Sequence, residues 1–77
     1  LDGPFDLLLL NIGARESKGL AALCTRLAAP GARLIVSGLA EWAALEVLKT
    51  YGAAGWRVVG RRHADSEWVT AVLVTPR

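Results

Sequence analysis

Among the polar side chains of this sequence, Asn11 holds the position best suited to chemistry. It closes the apolar run Phe5-Asp6-Leu7-Leu8-Leu9-Leu10 and is followed by Ile12. A continuous run of this kind, without polar alternation, reads as a central parallel strand buried on both faces. Ligands of open α/β sheets sit just beyond the carboxyl ends of such strands, so Asn11 stands where a ligand is expected. A plainer role competes with that one, because asparagine also caps strands and starts loops. Ser37-Gly38 ends a second strand candidate, where it either lines the same cleft or makes a tight turn into a helix.

The other reactive side chains lack the partners their chemistry needs. Ser37 lies outside a G-x-S-x-G elbow and has no evident histidine partner, which removes a hydrolase reading. Cys24 is the single cysteine, so an intrachain disulfide and a multi-cysteine metal site are excluded. Its place on an apolar helix face makes it a small core residue. His63, in a polar turn without a second ligand at metal spacing, reads as solvated. Asp6 reads as a partner of local backbone amides at the strand entrance. Trp42, Trp56 and Trp68 read as packing residues. Arg57, Arg61, Arg62 and His63 suit an edge strand kept soluble by charge. A contact with RNA or an acidic partner is the sharper alternative, which a formal charge of only +2 does not favour.

These residues must be positioned by an α/β arrangement in the order strand, helix, strand, helix, strand, strand. The first strand covers about Phe5 to Asn11. A helix from Ser17, as N-cap, to Ala29 would place Leu20, Leu23, Cys24 and Leu27 on one face, and Pro30-Gly31 would terminate it. Arg33 to Ser37 is the second strand. A second helix from Ala40 to Ala54 carries the stripe Ala44, Leu45, Leu48 and Tyr51, with Gly55 as its C′ residue. Trp56 to Arg62 and Trp68 to Thr75 are the last strands, joined by a turn over His63 to Glu67. Right-handed crossovers put both helices on one face of the sheet.

That connectivity leaves the opposite face largely bare and Leu7 to Leu10 as an exposed apolar edge, which natural proteins avoid. A chain of 77 residues with 53% hydrophobic residues is rich in core material for a domain that buries only about 60% of its unfolded surface. More sheet is therefore expected beside Phe5 to Asn11, from upstream sequence or from another chain. A start at Leu1 rather than Met fits an excised or processed piece. No apolar stretch approaches the roughly 20 residues that span a bilayer, and cysteine usage fits a reducing cytoplasm.

A family likeness emerges from order and spacing. Phe5-Asp6, Asn11-Ile12 with Ala14, Pro30-Gly31, Ser37-Gly38-Leu39, Val47, Tyr51, Gly55 and Glu67-Trp68-Val69 follow one another along nearly the whole chain. In this the chain resembles the C-terminal half of the bacterial methyltransferases of ribosomal protein L-eleven, class I enzymes that use S-adenosylmethionine. The resemblance implies that residues 1–77 are a partial methyltransferase domain, strands four to seven of a seven-stranded Rossmann-like sheet. It also implies that the last strand is inserted antiparallel between its two predecessors. By resemblance, Asn11 is the catalytic asparagine at the methyl donor and substrate amine, and Ile12 packs beside the cofactor or lines the pocket. An amide both donates and accepts hydrogen bonds, so it can aim an amine lone pair at a methyl group, and positioning carries most of such a transfer. The protein substrate is then a ribosomal protein.

Two departures fall in the implied substrate loop. Gly13 stands where the family has leucine, and Arg15-Glu16-Ser17 stands where it has an apolar or proline-containing segment. A larger departure is that the glycines form no G-x-G-x-x-G after a strand, and the acidic residue that ends the family's second strand is missing too. The cofactor-binding half is thus absent, and this chain alone is expected to be inactive, with weak or no cofactor binding. A noncatalytic module that pairs through the Leu7 to Leu10 edge is the alternative reading, and a different α/β enzyme a third.

Overall fold

A computed structural model describes residues 4–64 and 68–75. Branched and leucine-rich runs form its strands: β1 (Phe5–Leu10), β2 (Ala28–Ala40), β3 (Arg57–Ala64) and β4 (Trp68–Val74). Helices α1 (Ala14–Gly19) and α2 (Ala21–Leu27) connect β1 to β2, and α3 (Glu41–Ala53) connects β2 to β3. The sheet order is β1-β2-β4-β3. β1 and β2 are parallel, with Leu7 opposite Arg33 and Leu10 opposite Val36. β4 runs antiparallel to both β2 and β3, so the final strand lies between its two predecessors, as expected. Among the described residues β1 and β3 are the two outer strands, and Arg57, Arg61, Arg62 and His63 on β3 are all exposed.

One face of the sheet carries the core. Leu34, Val36, Leu39, Val69, Ala71 and Leu73 are buried there against Cys24, Ala44, Val47 and Tyr51 of the helices. β1 departs from the expectation of burial on both faces. Leu8 and Leu10 pack on the core, whereas Leu7 and Leu9 are 52% and 68% exposed on the other side. Both crossover connections put their helices on the same side, so nothing in the described residues covers the second face.

The first helix is not the single element from Ser17 to Ala29. It starts at Ala14 and breaks at Leu20, next to Gly19, whose backbone freedom costs a helix about 1 kcal/mol relative to alanine. Ser17 is consequently no cap but a fully buried α1 residue. The buried stripe runs Ser17, Ala21, Cys24, Ala28, and Leu23 is exposed instead. Pro30-Gly31 does not stop a helix either, because α2 ends at Leu27 and the chain is already extended through them. A residue before proline avoids helical geometry, and proline is tolerated near a strand's start. Gly31, at φ 79°, donates its N–H to Thr75 Oγ1 at 3.0 Å.

α3 matches its expected span, with a corrected stripe: Ala43, Ala44, Val47, Leu48 and Tyr51 are buried while Leu45 is exposed. Its end is a Schellman motif. Gly55 (φ 98°) donates to Gly52 O at 2.9 Å, Trp56 N donates to Tyr51 O at 3.0 Å, and the Tyr51 and Trp56 rings meet edge to face at 6.3 Å. Trp56 therefore closes the helix and is buried, rather than opening β3. That strand instead extends to Ala64, so His63 is a strand residue opposite Val69. The remainder of the expected turn, 65–67, lies outside the described residues, as does Glu67 of the family pattern.

Two short hydrogen bonds tie the helical layer together. Tyr51 donates its hydroxyl to Ser17 O at 2.7 Å, and Trp56 Nε1 donates to Thr25 Oγ1 at 2.8 Å. Replacing Tyr51 by Phe leaves the Ser17 carbonyl with only the long 3.3 Å bond from Leu20 N. An under-satisfied buried acceptor costs about 1–3 kcal/mol, so Tyr51→Phe is expected to lower the urea midpoint accordingly, and an unchanged midpoint would refute this role.

Burial raises the Cys24 thiol above its ordinary 9.0, partly opposed by the Tyr51 hydroxyl, which lies 3.8 Å from Sγ. Tyr51 is raised as well, chiefly by burial and further by Cys24. Groups held neutral in the folded state stabilise it fully below their unfolded pKa values, and that contribution is lost as pH climbs toward the folded ones. The urea midpoint should therefore fall above about pH 9, and Cys24→Ser should make the fall shallower. A pH profile identical in wild type and Cys24→Ser would contradict the assignment.

Candidate functional site

Parallel pairing of Leu10 with Val36 brings the carboxyl ends of β1 and β2 side by side. Asn11 leaves the sheet beside Ser37, whose hydroxyl donates to Leu10 O at 3.5 Å. One residue on, Gly38 takes φ 74°, and the β2–β4 register shifts between Val36 and Leu39. This bulge lets the Asn11 side chain lie against the Gly38 α-carbon, where a Cβ would overlap Asn11 Oδ1. The glycine is thus required twice, by its left-handed backbone and by the side chain packed on it.

Asn11 itself is exposed, and its amide has no hydrogen-bond partner among the described residues. A strand-capping asparagine would spend that amide on nearby backbone, and this one does not. α1 has Gly13 at its N-cap position with no side-chain cap. Ile12, 47% exposed, presents an apolar surface next to the amide. Gly13, at φ 97°, then turns the chain into α1, and its carbonyl accepts from Ser17 N at 3.0 Å. That backbone conformation explains a glycine at this position. The arrangement is a small ledge of one amide and one aliphatic side chain facing solvent at the ligand end of a parallel strand pair.

The structure brings Asn11, Ile12, Ser37 and Gly38 together and leaves the other candidates elsewhere. Cys24 is in the core, hydrogen-bonded with Tyr51. His63 and the three arginines sit on the exposed β3 strand. Asp6 is exposed within β1, and its carboxylate makes no hydrogen bond among the described residues. No group of three or more metal-ligating side chains occurs among the described residues, and none of their helices is long and apolar enough to cross a membrane. The packing role expected of the tryptophans holds for Trp56 alone, at 4% exposed; Trp68 is 49% and Trp42 87% exposed. Helical phase carried the signal for Trp42, because two residues from Ala44 at 100° each is nearly opposite the buried stripe.

Comparison with known proteins places this ledge in a wider setting. The chain is 43% identical, over 94% of its length, to a protein of Bradyrhizobium diazoefficiens named Ribosomal protein L11 methyltransferase. Proteins of the same name from Chelativorans sp. and a Caulobacter species are 40% and 36% identical over 87% and 97% of it. It spans about a quarter of the length of these relatives (24%, 23% and 26%) and matches their C-terminal part. No family model matches. Among solved structures, a ribosomal protein L11 methylase from Lactobacillus delbrueckii subsp. bulgaricus superposes on the whole chain with a TM-score of 0.92, at 18% identity and over 40% of that chain. The N-methyltransferase NodS from Bradyrhizobium japonicum gives 0.71, at 14% identity and over 54% of its chain. The mixed four-stranded sheet is therefore that of methyltransferase folds. Nothing in these likenesses supports a noncatalytic pairing module.

Gly38→Ala should both strain the backbone and evict Asn11 from its seat. A loss of about 1–3 kcal/mol in stability is expected, read from urea denaturation, together with a shifted Asn11 side-chain amide resonance. Retention of that resonance and of full stability would show that the contact does not hold Asn11.

Proposed function

We propose that this chain, which matches the C-terminal part of the ribosomal protein L11 methyltransferases, supplies the substrate-side half of the catalytic domain of an S-adenosylmethionine-dependent protein methyltransferase acting on amines of a ribosomal protein. Residues 1–77 correspond in this reading to strands four to seven of the catalytic sheet. The half that holds most of the cofactor lies outside the chain, and the complete enzyme works in the cytoplasm. The observation that carries the proposal is the 43% identity over 94% of the chain. The unspent Asn11 amide at the carboxyl end of β1 agrees with it.

The residues present fit one flank of the cofactor and acceptor and no more. Ile12 offers an apolar surface against which the cofactor would rest, and Asn11 an amide with free donors and acceptor. S-adenosylmethionine, when bound, supplies a methyl group that is already electrophilic on its sulfonium. Asn11 accepts an N–H of the neutral acceptor amine, so that the nitrogen lone pair is aimed and not left free to rotate. Gly38 fixes the amide through its contact on the Oδ1 side, and Ser37 ties the two strand ends together through Leu10 O. Such orientation requires little acid–base chemistry, and its loss is costly, because a displacement of about 1 Å can reduce rates 10²-fold.

The test uses the longer protein that carries this segment, with purified ribosomal protein L11 as acceptor. Asn11→Ala should lower kcat about 10²-fold or more while leaving the melting temperature unchanged, since the side chain is exposed. The isolated chain should show weak or no S-adenosylmethionine binding by calorimetry. Full activity of Asn11→Ala would remove Asn11 from the site, and absence of methyl transfer by the wild type would remove the proposal.

A further inference from the structure

The amine-holding ledge leaves one conspicuous neighbour unused. Trp42 stands in the first turn of α3, directly after β2, and is 87% exposed. It borders a concavity of about 300 Å³ lined by Ala14, Arg15, Lys18, Trp42, Ala43 and Glu46. Ala14 follows Asn11 by three residues, and α3 starts three residues after Gly38. The concavity therefore opens at the same end of the sheet as the Asn11 amide.

Its charge is uneven. Lys18 Nζ is 3.4 Å from Glu46 Oε2, so these two largely cancel. Arg15 is exposed and has no acidic partner among the described residues. An exposed tryptophan beside an unpaired arginine combines two of the residue types that dominate protein–protein binding energy. The volume is at the lower end of ligand pockets, enough for one or two side chains of a polypeptide.

We infer that Trp42 and Arg15 form a docking ledge for the methyl-accepting polypeptide. An apolar side chain of that polypeptide lies on the Trp42 ring, and a carboxylate is held by the Arg15 guanidinium in the two-pronged geometry that arginine favours. This rests on the methyltransferase reading and adds to it the surface that selects the acceptor. A carboxylate near the acceptor amine, beside an apolar residue, is the chemistry the ledge recognises.

The experiment compares Trp42→Ala, Arg15→Glu and the control Arg62→Glu in the longer protein, with ribosomal protein L11 as acceptor. The first two should each raise the KM for the protein about 10-fold, the equivalent of 1.4 kcal/mol. Their kcat, their affinity for S-adenosylmethionine and their melting temperature should stay at wild-type values, and Arg62→Glu should change nothing. Unchanged KM values in an active enzyme would overturn the ledge and leave the methyltransferase reading intact. A melting temperature lowered by several degrees in Trp42→Ala would also overturn it, by showing that the remainder of the protein buries the indole. An inactive wild type would defeat the underlying reading, and the ledge with it.

Discussion

The buried Tyr51 hydroxyl is the constraint on which the site geometry rests. It reaches from α3 to the carbonyl of Ser17, at the point where the first helix breaks. That carbonyl belongs to α1, and α1 begins at Ala14, immediately beyond Asn11 and Ile12. Without the bond, the short α1 would keep only its contact surface and the solvent-facing Lys18–Glu46 pair to fix its direction, and six residues of isolated helix have no stability of their own. Trp56 makes the second tie, to Thr25 of α2, from the closing turn of α3. One helix with an ordered end thus anchors both pieces of the other, and through them the loop that carries the amide.

Much of this could be read from the residues. The apolar runs placed four strands, Gly55 marked the end of α3, and the arginines marked β3 as the edge. The inserted β4 was legible only through the family likeness, since no periodicity distinguishes an inner antiparallel strand from an outer one. The placement of Asn11 followed from a strand ending in a polar residue. Its dependence on Gly38 did not, because that contact crosses from β1 to β2 and is set by a bulge that leaves no local pattern.

The misreadings share a cause. Pro30-Gly31 was weighed as local punctuation, yet pairing with β1 at Ala28 and the bond to Thr75 had already claimed that stretch as strand. Ser17 has the right type for a cap, but the Tyr51 partnership draws its backbone inside the helix. Leu45 and Leu23 are apolar and exposed where small residues, Ala43 and Ala21, take the buried positions. In each case long-range packing overrode a local preference of about 1 kcal/mol.

The position of β4 has a consequence for the order in which the segment can assemble. Among the described residues β4 is the last strand in sequence but second from the edge in the sheet, where it is the one neighbour of β3. During synthesis β3 emerges before its partner β4 exists, while β1, the helices and β2 can already associate. β3 must wait, unpaired, for the seven residues of β4. Its arginines then serve in the nascent chain as much as in the finished sheet, since charge on a waiting strand discourages pairing with the wrong partner.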